Sequence, residues 1–117
     1  MSTAPLRIYH NPRCSKSRSA CALIAENGLA AEVVEYLLTP PSREDLRALL
    51  KKLGMKPAEL VRQGEAEFKE HYAGRTLTDE EWLDALVAHP ILIERPIAVC
   101  GDKAVVARPP ERVLELL

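Results

Sequence analysis

Cys14 stands in the run His10-Asn11-Pro12-Arg13-Cys14-Ser15-Lys16-Ser17-Arg18, where four neighbours are or can become cationic. An apolar pair, Ile8-Tyr9, leads through Asn-Pro to the cysteine, and helix-compatible residues follow it. That order places the thiol at or near the start of a helix. A helix N-terminus carries roughly half a positive charge and unbonded N–H groups, which favour a thiolate over a thiol and also receive an anion. A free thiol with pKa ~8.5 is only about 3% ionised at neutral pH, so depression of the pKa is what turns a cysteine into a nucleophile. The chemistry expected of Cys14 is attack by sulfur in the presence of a bound anion.

The other reactive side chains are less loaded. Cys21 and Cys100 complete an odd set of three cysteines with no C-x-x-C pairing, so neither a disulfide framework nor a zinc site is expected. Both are read as small buried hydrophobes. His10 is placed to lower the Cys14 pKa when protonated, or to orient the loop by a hydrogen bond. Ser17 is placed to donate to the thiolate or to fill the first helical turn. Arg18 faces solvent or supports the loop, and Arg13 and Lys16 add positive potential. No carboxylate pair stands out as a general acid and base. His71 and His89 are too far apart in the chain to suggest a metal, and none is expected.

These residues need elements to hold them. Leu6 to Tyr9 reads as a strand, Ser15 to Asn27 as a helix stopped at Gly28, and Val33 to Leu37 as a second strand. That order predicts a parallel βαβ unit. Pro40-Pro41 breaks the chain. Capping boxes at Ser42-Arg43-Glu44-Asp45 and Thr78-Asp79-Glu80-Glu81 open two helices, with Leu46, Leu49, Leu50 and Leu53 forming one apolar stripe closed by Gly54. One or two short helices are expected within 57–72. Two apolar runs around Gly101-Asp102 predict an antiparallel hairpin. Pro109-Pro110 opens a short helix with Val113, Leu114 and Leu117 on one face. The sum is βαβ, a helical insertion over about 42–89, then ββα. It is an α/β chain of thioredoxin-like order with a mixed four-stranded sheet and an enlarged central helical region.

The chain of 117 residues is expected to be one domain, 1–117. With 47% hydrophobic and 28% charged residues it is an ordinary folding sequence. A net charge of −1 gives no reason to expect nucleic acid or an anionic membrane surface. No run approaches the ~20 apolar residues of a membrane span, and residues 1–10 lack a signal-peptide pattern, so a cytoplasmic monomer is expected.

With the Cys14 run in hand, the sequence resembles the glutaredoxin-dependent arsenate reductases, the ArsC family of the thioredoxin superfamily. Tyr36-Leu37 with Pro40-Pro41-Ser42-Arg43, His89-Pro90-Ile91-Leu92-Ile93-Glu94-Arg95-Pro96-Ile97, and Arg108-Pro109 also fall where that family has similar segments. The resemblance runs nearly the whole chain. It implies an oxidoreductase of arsenic detoxification in which Cys14 attacks arsenate and Arg62, Arg95 and Arg108 hold the oxyanion. It also implies a cis bond before Pro96. Gln63 departs from the lysine that many relatives carry after the arginine, and Cys100 is not a family catalytic position.

The implied reaction has three steps. Cys14 forms a sulfur–arsenic(V) adduct, glutathione attacks it, and a glutaredoxin resolves the product so that arsenite leaves. No bound cofactor is required. Phosphate or sulfate are expected as non-reacting mimics. An external thiol is needed because residue 17, the second cysteine position of a C-x-x-C motif, is serine. Cys21 lies about 10 Å along the helix, beyond the ~7 Å Cα separation of a disulfide. Cys100 lies roughly 13 Å along a strand from Pro96. Alternative readings are a transcriptional regulator resembling Spx-like proteins that bind RNA polymerase, a glutathione-linked thiol reductase with another substrate, and a binding domain in which Cys14 is incidental. Ser17 weighs against the redox switch that many Spx-like proteins carry.

Overall fold

The computed structural model describes residues 6–116. Their contacts divide into two compact units, one made of residues 6–39 with 95–116 and the other of Pro40–Glu94.

The first unit holds a sheet. Strand β1 (Leu6–His10) leads to helix α1 (Ser15–Glu26) and strand β2 (Ala31–Glu35), and the hairpin of β3 (Ile97–Cys100) and β4 (Lys103–Val106) closes it. The order is β2-β1-β3-β4. β1 runs parallel to β2, Ile8 opposite Val33, and antiparallel to β3, Ile8 opposite Ala98. β3 and β4 are antiparallel, with Ile97 opposite Val106. The mixed four-stranded sheet expected from the sequence is present.

Alternation along the strands selects the core. Leu6 and Ile8 of β1, Ala98 of β3 and Val105 of β4 bury with Ala20 and Ile24 of α1 and Val113 and Leu116 of the last helix. Ala20 and Ile24 are four residues apart and share a helix face. Cys21 and Cys100 are half-buried and pack against this cluster.

Two sequence expectations shift. β2 lies at Ala31–Glu35, two residues earlier than the expected Val33 to Leu37. The carbonyl of Glu35 accepts from Leu38 and Thr39 N–H, both at 2.9 Å, so the chain turns where the apolar run continues. The last helix is 3-10 over Pro110–Leu116. At three residues per turn, Val113 and Leu116 share the buried face, while Leu114 is exposed. Leu117 lies outside the described residues.

The second unit is helical. Helix α2 (Arg43–Leu53) starts in a capping box: Ser42 Oγ accepts from Asp45 N–H at 3.1 Å, and an Asp45 carboxylate oxygen accepts from Ser42 N–H at 3.1 Å. It ends at Gly54, whose φ of 67° suits glycine. Leu46, Leu49 and Leu50 form its buried face. A 3-10 helix spans Pro57–Leu60 and α3 spans Ala66–His71, within the expected 57–72 window. Helix α4 (Asp79–Ala88) opens in the second capping box, on Thr78 and Glu81. Arg43, Arg47, Glu80 and Asp84 tie α2 to α4 in an exposed ion-pair network. Phe68 stacks on Trp82, and His71 on His89, with ring centroids 6.1 and 5.4 Å apart.

A candidate thiolate and oxyanion site at the start of helix α1

β1 delivers the chain to the site and α1 carries it away. Between them, Asn11 ties the turn together. Its side-chain carbonyl accepts from Arg13 N–H at 3.0 Å, and its backbone carbonyl accepts from Cys14 N–H at 2.9 Å. Its own N–H donates to Ser17 Oγ at 3.3 Å. Asn11 is buried and Ser17 fully so. Arg18 reaches back to donate to the Pro12 carbonyl at 2.9 Å. The loop is thus fixed from within by residues on both sides of the cysteine.

Cys14 occupies the N-cap of α1, in extended conformation with φ −94° and ψ 123°. The preferred caps are Ser, Thr, Asp and Asn, whose oxygens bond the first free N–H groups. Here a sulfur stands in that place, and no side-chain cap bond of strict geometry forms. The first turn holds no acidic residue, so the positive end of the helix stays uncompensated.

Burial pushes the Cys14 thiol up, but the opposing influences prevail and hold its pKa below the ordinary value. These are the N–H groups of Ser17 and Lys16, together with the hydrogen bond and positive charge of the Arg95 guanidinium. Arg95 is a buried arginine, and its guanidinium favours an anion at Cys14.

Arg95 is followed by Pro96, fully buried, across a cis peptide bond; Arg108–Pro109 is also cis. Arg108, half-buried, donates from Nη1 to the Arg95 carbonyl at 3.2 Å. Cys14, Arg95 and Arg108 therefore belong to one unit. Arg62 belongs to the other. There, Val61 pairs with Ile93, Arg62 N–H donates to Leu92 O at 2.7 Å, and Glu94 N–H donates to Leu60 O at 2.8 Å. The Arg62 guanidinium lies 3.3 Å from Glu65 and 3.7 Å from Glu94, so two carboxylates hold it in place.

The remaining expected residues fall as follows. The His10 ring is placed at Cys21, with Nδ1 3.6 Å from Sγ. Burial lowers its pKa, with Glu35 opposing and Arg18 assisting, so the ring is mainly neutral at pH 7. Burial raises the Cys21 pKa, which keeps that thiol protonated. Cys100 pairs with Leu6, at the end of β1 remote from His10. None of the three cysteines is in a disulfide. No group of three or more metal-ligating side chains gathers among the described residues. No helix among them is long and apolar enough to cross a membrane.

Asn11 is the residue that the sequence left without a role. Its signal was available: Asn-Pro initiates turns, and an asparagine side chain bonds the backbone two residues on.

The ArsC family model matches residues 9–116. The chain belongs to the ArsC family. It is 51% identical over 117 residues to the uncharacterized protein YfgD of Escherichia coli (strain K12), covering 98% of each chain. It is 43% identical over 114 residues to an arsenate reductase of Neisseria meningitidis serogroup A, covering 96% of this chain and 97% of that one. The solved structure of the Vibrio cholerae arsenate reductase superposes with a TM-score of 0.93 at 45% identity, covering 97% of this chain and 98% of that one. The thioredoxin-like architecture expected of the ArsC resemblance is therefore present.

Proposed function

We propose that this protein is an arsenate reductase that uses glutathione and a glutaredoxin as its source of electrons. The observation that carries the reading is the Cys14 sulfur, its pKa depressed by α1 N–H groups and by a buried arginine that also suits an oxyanion. The names of the Neisseria and Vibrio relatives support arsenate as the substrate.

In the proposed reaction, Cys14 thiolate attacks arsenic and one arsenate oxygen leaves as water, giving a sulfur–arsenic(V) adduct. Arg95, Arg108 and Arg62 hold the remaining oxygens, because a guanidinium pairs with oxyanion edges and stays charged at any working pH. Two anions would otherwise repel as they approach. Glutathione thiol then displaces a second oxygen. A glutaredoxin thiolate attacks the glutathione sulfur, a mixed disulfide forms, and arsenic keeps the electron pair as arsenic(III) on Cys14. Water then adds to arsenic, the Cys14 thiolate leaves, and arsenite is released. Asn11, Ser17, Arg18 and Pro96 position the loop and the arginine, and His10 supports the start of the turn. No metal or bound cofactor takes part. Phosphate and sulfate share the shape and charge and bind without reacting. The protein acts as a cytoplasmic monomer.

The test is arsenite formation, coupled to NADPH oxidation through glutathione reductase, glutathione and glutaredoxin. Arsenate-dependent turnover that Cys14→Ser abolishes is the expected result. No turnover by the native protein, with glutathione-linked reduction of another substrate intact, would replace arsenate by that substrate.

A further inference from the structure

We propose that Arg13 and Lys16 recognise the reductant, selecting a small thiol that carries two carboxylates; this rests on the glutathione-dependent reading above. The cations of the sheet unit are otherwise engaged. Arg7 pairs with Glu32 and Arg112 with Glu115. Arg18 bonds the Pro12 carbonyl, Arg108 the Arg95 carbonyl, and Arg95 the Cys14 sulfur. Lys103 begins β4 opposite Cys100, at the end of the sheet remote from the Cys14 loop. Arg13 and Lys16 alone flank Cys14, exposed, with no hydrogen bond, ion pair or ring contact to either side chain among the described residues.

The backbone explains why. The Arg13 N–H is fixed inward on Asn11, and the Lys16 N–H acts on the sulfur. The two side chains are left to solvent on either side of the nucleophile in the chain. No carboxylate lies between His10 and Arg18 or in the first turn of α1. A second thiolate that arrives at the Cys14 adduct must approach an arsenic that still carries anionic oxygens. Two exposed cations beside Cys14 in the chain reduce that repulsion most for a thiol with its own carboxylates. They do nothing for a neutral thiol of the same reactivity.

The experiment uses the full chain with Cys21→Ser and Cys100→Ser, and Cys14 carried as its mixed disulfide with thionitrobenzoate. An incoming thiolate attacks the Cys14 sulfur, a new S–S bond forms, and thionitrobenzoate leaves with the electron pair as a coloured thiolate. Rates are compared for glutathione, neutral 2-mercaptoethanol and cationic cysteamine. Arg13→Ala/Lys16→Ala should lower the glutathione rate about fivefold relative to 2-mercaptoethanol, as for two exposed charge contacts. The difference should vanish near 1 M salt, where the Debye length is ~3 Å. Arg13→Glu/Lys16→Glu should turn the preference toward cysteamine. Equal slowing of all three thiols, or an unchanged ratio, would overturn the proposal. An unchanged ratio with slower reduction by glutaredoxin would assign the two cations to an acidic protein face instead. The assay contains no arsenate, so failed arsenate turnover and failed thiol selection are separate results.

Discussion

Arg95 brings a buried positive charge to the Cys14 sulfur, which favours ionisation of the thiol. Arg95→Lys keeps a charge but loses the planar fork, so we expect weaker arsenate binding, read as a raised KM with a smaller change in kcat. Arg62 is a sharper case, because its partners in hand are Glu65 and Glu94. Arg62→Ala should raise KM for arsenate at least tenfold if it holds an oxyanion, one charge-assisted hydrogen bond contributing about 1.5–3 kcal/mol. An unchanged KM with altered stability alone would confine it to those two carboxylates. Asn11→Ala removes the acceptor for the Arg13 N–H. It should cost about 1 kcal/mol in chemical denaturation and slow Cys14 alkylation, and Asn11→Asp should recover the stability. At this scale the sequence pointed to Cys14 through its neighbours. It could not place the His10 ring at Cys21, because that contact needs the first turns of α1 brought back beside β1.

Elements were legible where local chemistry decides them. The capping boxes at Ser42 and Thr78 opened helices where the sequence placed them, because each satisfies its own first-turn N–H groups. Ser42→Ala should cost about 1 kcal/mol of stability and leave activity unchanged, measured by urea denaturation beside turnover. Elements were less legible where tertiary contacts decide. Val33, Val34, Leu37 and Leu38 form an apolar run, but the Glu35 carbonyl ends β2 early and leaves Leu38 exposed. The last helix shifted its face because 3-10 winding replaces the i, i+4 partner with i+3. Ile24, buried between α1 and the sheet, is the test of that core. Ile24→Ala should cost about 2–5 kcal/mol.

For the whole molecule, the site couples folding to pH. The Cys14 pKa is lower in the folded chain than the ~8.5 of an unfolded one. Its stabilising contribution is therefore full above the unfolded value and lost as pH falls through the folded one. His10, also depressed when folded, contributes in the same direction below its own unfolded value of ~6.5. Cys14→Ser should remove the first component and leave the second, which denaturation midpoints across pH would separate. The βαβ start and the antiparallel hairpin after the helical insertion were readable from the sequence. That Arg95 stands at Cys14, with Arg108 on the Arg95 carbonyl, was not readable from spacing, because the β1–β3 and β3–β4 pairings bring these segments together.

The start of α1 and Arg95 together favour ionisation of Cys14. The most direct measurement is the pH dependence of Cys14 alkylation by iodoacetamide, in native protein and in Arg95→Ala, followed by mass spectrometry of the labelled cysteine. We expect Cys14 to be labelled well before Cys21, with a midpoint below the ordinary thiol range that moves upward in Arg95→Ala. A native midpoint at the ordinary value, unchanged in the variant, would contradict it.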